Sequence, residues 1–174
     1  MTATTRRPLV LALVASVALT LGVVAGPVAP ASADPSPVSL SVDASGAHPG
    51  GTVTFTAVFT NPEPVPVVFS YMSLNYEYLG PTAHATYDFT GCTGDITWCA
   101  VVEDGQAAAV HHAVEIAPGA TRTVTFTLVI RPDSQCGPFT GIAFHTYSYR
   151  ESSAGAVGGF NDPGVFLSVS CGQG

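Results

Sequence analysis

Residues 51–60 place apolar and hydroxyl-bearing side chains at alternate positions, and this pattern constrains the fold most strongly. Successive side chains of a β-strand point to opposite faces, so one face would be apolar and the other rich in threonine. The pattern returns at residues 121–130. Because a shift of one residue would expose every apolar side chain, we predict that Phe55 and Phe126 are buried and that threonines 54 and 125 lie on the opposite faces. Two such strands indicate a sandwich of two sheets.

The rest of the chain is a series of short strand patterns separated by turn residues. Strands are expected at residues 38–42, from residue 67, and at 83–89, 96–103, 106–116, 139–150 and 165–169. Ambiguous parity from residue 67 predicts a bulge, Asp104-Gly105 predicts a tight hairpin turn, and the glycine-rich residues 152–159 predict a loop. No segment after residue 33 has a helical period. The pattern predicts an all-β, immunoglobulin-like antiparallel β-sandwich of about seven to nine strands.

Residues 1–33 have the features of a secretory signal peptide. Two arginines precede an almost wholly apolar run at residues 9–25, and residues 31–33 form a small-x-small cleavage site. The run is short for a membrane span and no charged stop follows it, so we favour a cleaved signal over a membrane anchor. The arginine pair matches a twin-arginine signal only in part, so ordinary secretion is the simpler expectation. Residues 34–174 would then form one exported domain.

The charge of this domain limits its partners. Without the signal, three arginines and no lysine stand against all 12 acidic residues, a formal charge of −9. This negative charge repels the phosphate backbones of nucleic acids and anionic lipid surfaces, so neither nucleic acid nor membrane is an expected partner. The sequence ends at Gly174 without a sorting tail or a second apolar span, which favours a free extracellular domain.

Four cysteines lie in the expected domain, at positions 92, 99, 136 and 171. An even number in an exported chain predicts two disulfides, for which three pairings are possible. A turn at residues 93–95 separates Cys92 from Cys99, so we favour Cys92–Cys99 together with Cys136–Cys171. Zinc binding is the alternative, but the spacings do not form paired Cys-x-x-Cys motifs.

Several motifs occur in a fixed order: Pro-Gly-Gly-Thr-Val-Thr-Phe-Thr at residues 49–56, Phe-Thr-Asn-Pro at 59–62, the first cysteine pair, and Ala-Pro-Gly-Ala-Thr at 117–121. In these motifs the chain resembles the bacterial repeats named domain of unknown function 11 and related cell-surface immunoglobulin-like modules, over about residues 38–170. The resemblance implies a β-sandwich of an exported or envelope protein without catalytic residues. Those modules usually occur in tandem, whereas this chain carries one copy.

The residues give no pattern typical of an enzyme. There is no Gly-x-Ser-x-Gly motif, and the cysteines are expected to be paired. His111 and His112 would point to opposite faces of a strand, and the other three histidines are far apart in the sequence. We therefore expect a non-catalytic protein with no metal site and no cofactor.

Aromatic residues are the strongest functional candidates. His145, Tyr147 and Tyr149 would share one face of a strand, and Trp98, beside Cys99, is a candidate to join them. Such a face would stack on a sugar ring or another flat ligand. Two function classes follow: a secreted interaction or structural module with a protein or cell-envelope partner, and a carbohydrate- or small-ligand-binding module. Exposed aromatic residues in a row would favour the second class, and buried ones the first.

Overall fold

The computed structural model describes residues 36–77 and 83–172. The expected signal peptide at residues 1–33 and the expected mature start at Asp34 lie outside these ranges and stay predictions. Within the described ranges, no helix is long and apolar enough to cross a membrane.

Ten β-strands and one 3₁₀ turn, Glu103–Gly105, occur in the described residues. The strands are β1 (Val38–Asp43), β2 (Thr52–Thr60), β3 (Val67–Glu77), β4 (Ala83–His84), β5 (Tyr87–Gly94), β6 (Trp98–Val102), β7 (Ala107–His112), β8 (Thr121–Ile130), β9 (Thr140–Ser152) and β10 (Gly155–Ser168). The expected range of about seven to nine strands falls one short of this number, and β4 has only two residues.

The strands form two sheets that pack face to face. Sheet A has the order β1-β2-β8-β5, and sheet B has the order β10-β9-β3-β7-β6. Neighbours along both paths are antiparallel, whereas β4 pairs in parallel with the first residues of β9. The predicted all-β antiparallel sandwich is confirmed.

The two alternating strands supply the centre of the core. Phe55 on β2 and Phe126 on β8 are fully buried and are cross-strand partners within sheet A. Their threonine neighbours lie on the outer face of that sheet, so the predicted register is confirmed. Phe144 of β9 packs on Phe55 from sheet B, with ring centroids 4.8 Å apart. Because each strand has one apolar face, a shift of the register by one residue would turn these rings toward solvent.

β3 contains a bulge, as the ambiguous parity predicted. Its register with β9 shifts between Val67 and Phe69. After the shift, Met72 and Leu74 are buried in the core, so the alternate residues, including Tyr71, lie on the outer face of sheet B. The bulge therefore determines which aromatic side chains leave the core.

The β6–β7 hairpin turns at Asp104-Gly105, as predicted. Asp104 has φ 53° and Gly105 has φ 94°. Positive φ at both central residues is the requirement of a type I′ turn, whose twist matches that of the flanking strands.

The prediction of a loop at residues 152–159 is wrong. β9 continues to Ser152, and β10 begins three residues later at Gly155. Glycines carry no side-chain signal for a strand, but the ladder between β9 and β10 needs only backbone N–H and C=O groups. This glycine-rich strand forms the edge of sheet B and presents Phe160 on its outer face.

Both favoured disulfides are present, and none of the cysteines is free. Cys92–Cys99 joins β5, an edge strand of sheet A, to β6, an edge strand of sheet B. Cys136–Cys171 joins the loop before β9 to the segment after β10. The predicted pairing is confirmed, so no thiolate remains to bind zinc.

Candidate functional site

The outer face of sheet B carries aromatic and imidazole rings on all five strands of its main path. On β3, β7 and β9 most neighbouring positions are buried, which directs the alternate residues outward, and cross-strand pairing places Trp98 of β6 and Phe160 of β10 on the same face. We call this surface the aromatic face, and it consists of Phe69, Tyr71, Trp98, His111, His145, Tyr147, Tyr149 and Phe160.

Strand register aligns four of these residues in one row across the sheet. Tyr149 of β9 is the Cα partner of Tyr71 of β3, which is also the partner of His111 of β7. His111 is in turn the partner of Trp98 on β6. At the other end of the row, Tyr149 pairs with Gly158 of β10. Directly opposed side chains interact most strongly in a sheet, so the register itself builds the row.

Trp98 and His111 form the best-aligned pair of the row. Their rings lie 5.0 Å apart with an angle of 11° between their planes. Trp98 is nevertheless 42% exposed, so part of the indole remains accessible to a ligand. Thr97 fixes this end of the row, because its hydroxyl lies 3.0 Å from His111 Nδ1 and also accepts a hydrogen bond from the Ala113 N–H.

The remaining rings connect the row to both sides. Phe69 lies 5.5 Å from His111 and 6.4 Å from Tyr149. Phe160 lies 5.4 Å from Tyr147 and 5.0 Å from His145. The planes of Phe160 and these two neighbours are steeply inclined, the edge-to-face arrangement that aromatic pairs prefer.

Polar side chains lie beside the rings of the face, and one of them orients Tyr149. The Tyr149 hydroxyl donates a 2.7 Å hydrogen bond to Glu151 Oε1, and this bond raises the pKa of the Tyr149 phenol. Asn75 Nδ2 donates to Ser73 Oγ at 2.9 Å on the same side of the sheet. The aromatic face thus offers carboxylate, amide and hydroxyl groups beside its rings.

Gly158 allows a tyrosine to lie over β10. A Cβ atom at this position would be 2.6 Å from the Tyr147 hydroxyl and 3.2 Å from Tyr149 Cδ2. Any larger residue would therefore displace the Tyr147 ring. The adjacent Gly159 has no atom within 4 Å of an added Cβ.

All four candidate residues named from the sequence lie on the aromatic face. His145, Tyr147 and Tyr149 share one strand, whereas Trp98 is separated from them by β3 and β7. The sequence analysis missed Phe69, Tyr71, His111 and Phe160 as members. The alternation of Phe69 with Tyr71 was a signal, but its direction depended on the bulge, and Phe160 followed a segment interpreted as a loop.

His112, the neighbour of His111, points to the opposite side of the sheet, as expected. It is 3% exposed, and its Nε2 atom has no hydrogen-bond partner among the described residues. Burial lowers the pKa of its imidazole, the charge of Arg122 lowers it further, and Asp95 acts in the other direction. A cleft of about 350 Å³, lined in part by these three residues, opens beside it.

A second cleft, of about 780 Å³, lies where the sheets end near β1 and β10. Its wall includes the ion pair of Arg150 and Glu63, in which Nη2 and Nε approach the same carboxylate oxygen at 2.6 and 2.8 Å. Their side chains are only 15% and 20% exposed. Each charge is matched by the other, so this cleft presents no free charge from the pair.

Metal ligands do not cluster in the described part of the chain: no three histidine, cysteine or acidic side chains there are placed to hold an ion. Comparison with known proteins adds no assignment, since no protein-family model matches the chain. A search of curated proteins likewise finds no significant match.

Proposed function

We propose that this chain is an exported, non-catalytic binding module that holds a carbohydrate on its aromatic face. The observation that carries the proposal is the row from Tyr149 through Tyr71 and His111 to Trp98, built across four strands. The C–H faces of sugar rings are apolar and pack on aromatic rings, while sugar hydroxyls bond to groups such as Glu151 and Asn75. Trp98 is exposed and the other three rings of the row are half-buried, so part of each ring remains accessible to a ligand.

The charges around the face favour a neutral ligand. Arg150 is paired with Glu63, and Arg131 lies within 4 Å of Asp88 and Asp133. Arg122 donates to the carbonyl oxygens of Thr121 and Glu115. With each arginine of the domain engaged elsewhere, an anionic ligand would meet no cationic partner among the described residues of the face.

The architecture supports an immunoglobulin-like assignment. The order β1-β2-β8-β5 corresponds to the A-B-E-D sheet of that fold, and β10-β9-β3 corresponds to G-F-C. The chain departs from that fold in two ways. β5, the strand that corresponds to D, comes before β6 and β7 of the other sheet in the sequence, and no disulfide joins β2 to β9. Kinship with the domain-of-unknown-function-11 repeats of bacterial exteriors belongs to the same proposal, and two disulfides suit an oxidising, extracellular location.

A protein or cell-envelope partner is the second candidate. Phe139, Phe160 and Phe166 are 84%, 73% and 58% exposed. Large exposed apolar side chains are enriched at protein interfaces, so these three phenylalanines favour an interaction module.

Calorimetric titration of neutral polysaccharides into the domain tests the first proposal. Soluble glucans, mannans, xylans and chitin oligomers form the panel. We expect binding of at least one, and a loss of about 2- to 13-fold in affinity in Trp98→Ala, because one aromatic contact contributes about 0.5–1.5 kcal/mol. Phe139→Ala, which removes an exposed ring outside the face, is the matched control.

The result also separates the two candidates. Binding that Phe139→Ala weakens and Trp98→Ala leaves unchanged would contradict the carbohydrate proposal. Retention of a protein from the producer's culture medium, lost in Phe139→Ala, would support the interaction module instead.

A further inference from the structure

We propose that the ligand of the aromatic face is a linear, uncharged oligosaccharide chain that lies across the strands of sheet B and contacts both ends of the row. This inference rests on the proposed carbohydrate-binding function and specifies its ligand. A single sugar residue, bound at one ring, is the alternative that it excludes.

The row ends at Tyr149 on β9, and the aromatic face extends one strand further to Phe160 on β10; the length of the row with this extension is the first argument. Trp98 lies on β6 and Gly158 on β10, the two edge strands of sheet B, and three strands separate them. Neighbouring strands lie about 4.8 Å apart, so four intervals span about 19 Å. One sugar ring is far shorter than this span. Only a chain of several sugars reaches from the indole to the rings above β10.

A floor of small side chains runs beside the row. Two residues along each strand from Tyr71, His111 and Trp98 are Ser73, Ala109 and Ala100. They are also aligned as cross-strand partners, and because the spacing is two residues they lie on the same face. Ser73 and Ala109 are only 6% and 2% exposed, so this floor is covered and offers a ligand little surface of its own; the accessible surface of the face is that of its rings.

Both ends of the row are prepared for contact. At the β6 end, Trp98 stacks on His111 and is still 42% exposed. At the β10 end, the lack of a side chain on Gly158 lets Tyr147 lie over the strand, where it meets Phe160. Ring contacts continue between these ends through Phe69 and Tyr71.

An uncharged chain fits this surface better than an acidic one. The domain has a formal charge of −9, and Glu151 accepts the Tyr149 hydrogen bond at the margin of the face. Carboxylates there accept hydrogen bonds from sugar hydroxyls but repel uronic acids. The same repulsion disfavours a second copy of this chain as the occupant.

Titration of a length series tests the inference. The probes are glucose and its β-1,4-linked oligomers, and N-acetylglucosamine and its β-1,4-linked oligomers, each from the monosaccharide to the hexasaccharide. We expect affinity to rise by about tenfold or more with length and to level off once the chain spans the row. Equal affinity for the monosaccharide and the hexasaccharide would overturn the inference while leaving carbohydrate binding intact. Absence of binding by any sugar would overturn both proposals.

Two variants at opposite ends give an independent test. Gly158→Ala displaces the Tyr147 ring, and Trp98→Ala removes the indole about 19 Å away. We expect each to weaken hexasaccharide binding by about threefold or more, because the chain contacts both ends. Gly159→Ala, where an added Cβ meets no atom, is the matched control and should bind as the unmodified protein does.

Circular dichroism establishes that the variants are folded, and sedimentation establishes that they are monomeric. A hexasaccharide sensitive to only one end would contradict the extended pose. A dimer that Trp98→Ala or Gly158→Ala dissociates would show that a second copy occupies the face, and would refute the inference.

Discussion

Truncation of Phe144 to alanine would remove the ring through which sheet B contacts the core of sheet A. Phe144 is fully buried, and its centroid lies 4.8 Å from Phe55, 5.3 Å from Tyr87 and 6.0 Å from Phe89. Deleting a buried phenylalanine side chain costs about 3–5 kcal/mol. Because this one deletion also breaks three edge-to-face pairs, we expect a loss at the upper end, about 5 kcal/mol of unfolding free energy.

Phe160→Ala is the matched control for this experiment. It makes the same chemical change on the next strand, but the Phe160 side chain is 73% exposed on the outer face. About a quarter of an aromatic side chain's area of roughly 200 Å² is then lost from contact, which corresponds to about 1 kcal/mol. The two variants differ in burial alone, so their difference measures the inter-sheet core.

Urea unfolding of the disulfide-intact protein, followed by far-ultraviolet circular dichroism, measures both values. A loss of 5 kcal/mol approaches the whole stability of many domains, so Phe144→Leu is the second variant, with an expected loss of about 1–2 kcal/mol. Similar losses in Phe144→Ala and Phe160→Ala would refute the placement of the core between the two sheets.

Three further predictions concern the disulfides, pH and export. Replacing Cys136 and Cys171 by serine should lower the unfolding free energy by about 4 kcal/mol, against about 2.5 kcal/mol for Cys92 and Cys99. The difference arises because the first bond closes a loop of 35 residues and the second a loop of 7. Urea unfolding of the two double variants measures both losses. Stability should fall as the pH drops below about 6.5, since the unfolded chain protonates His112 at its ordinary pKa while burial lowers that pKa in the fold. Urea midpoints measured from pH 8 to 5 should fall less in His112→Gln than in the unmodified protein. An equal dependence of the midpoint on pH in the two proteins would contradict the assignment to His112. N-terminal sequencing of the exported protein should begin at Asp34, and a membrane-bound product that retains residues 1–33 would disprove the signal peptide.

Local patterns predicted what depends on a single strand. The alternation around Phe55 and Phe126 determined which side chains are buried, and Asp104-Gly105 predicted its own turn, because both follow from neighbouring residues. That these two phenylalanines face each other within one sheet depends on contacts between strands about 70 residues apart in the sequence. No periodicity contains that information.

The candidate site was predictable to the same degree. His145, Tyr147 and Tyr149 share a face on one strand, and that much follows from a period of two. Their connection to Trp98 through Tyr71 and His111 required the order of four strands, which the sequence pattern does not specify. Phe160 was missed for a different reason: its strand consists largely of residues that carry no strand signal.

The stacking of Trp98 on His111 determines what intrinsic fluorescence reports in this protein. Trp98 is the sole tryptophan of the chain, and it lies at the edge of sheet B rather than in the core. Its emission therefore responds to the outer surface of β6 and to any molecule that settles on the exposed indole. The packed interior around Phe144 contains no tryptophan. The tryptophan emission of the unlabelled protein therefore reports whether a ligand occupies the Trp98 end of the aromatic face.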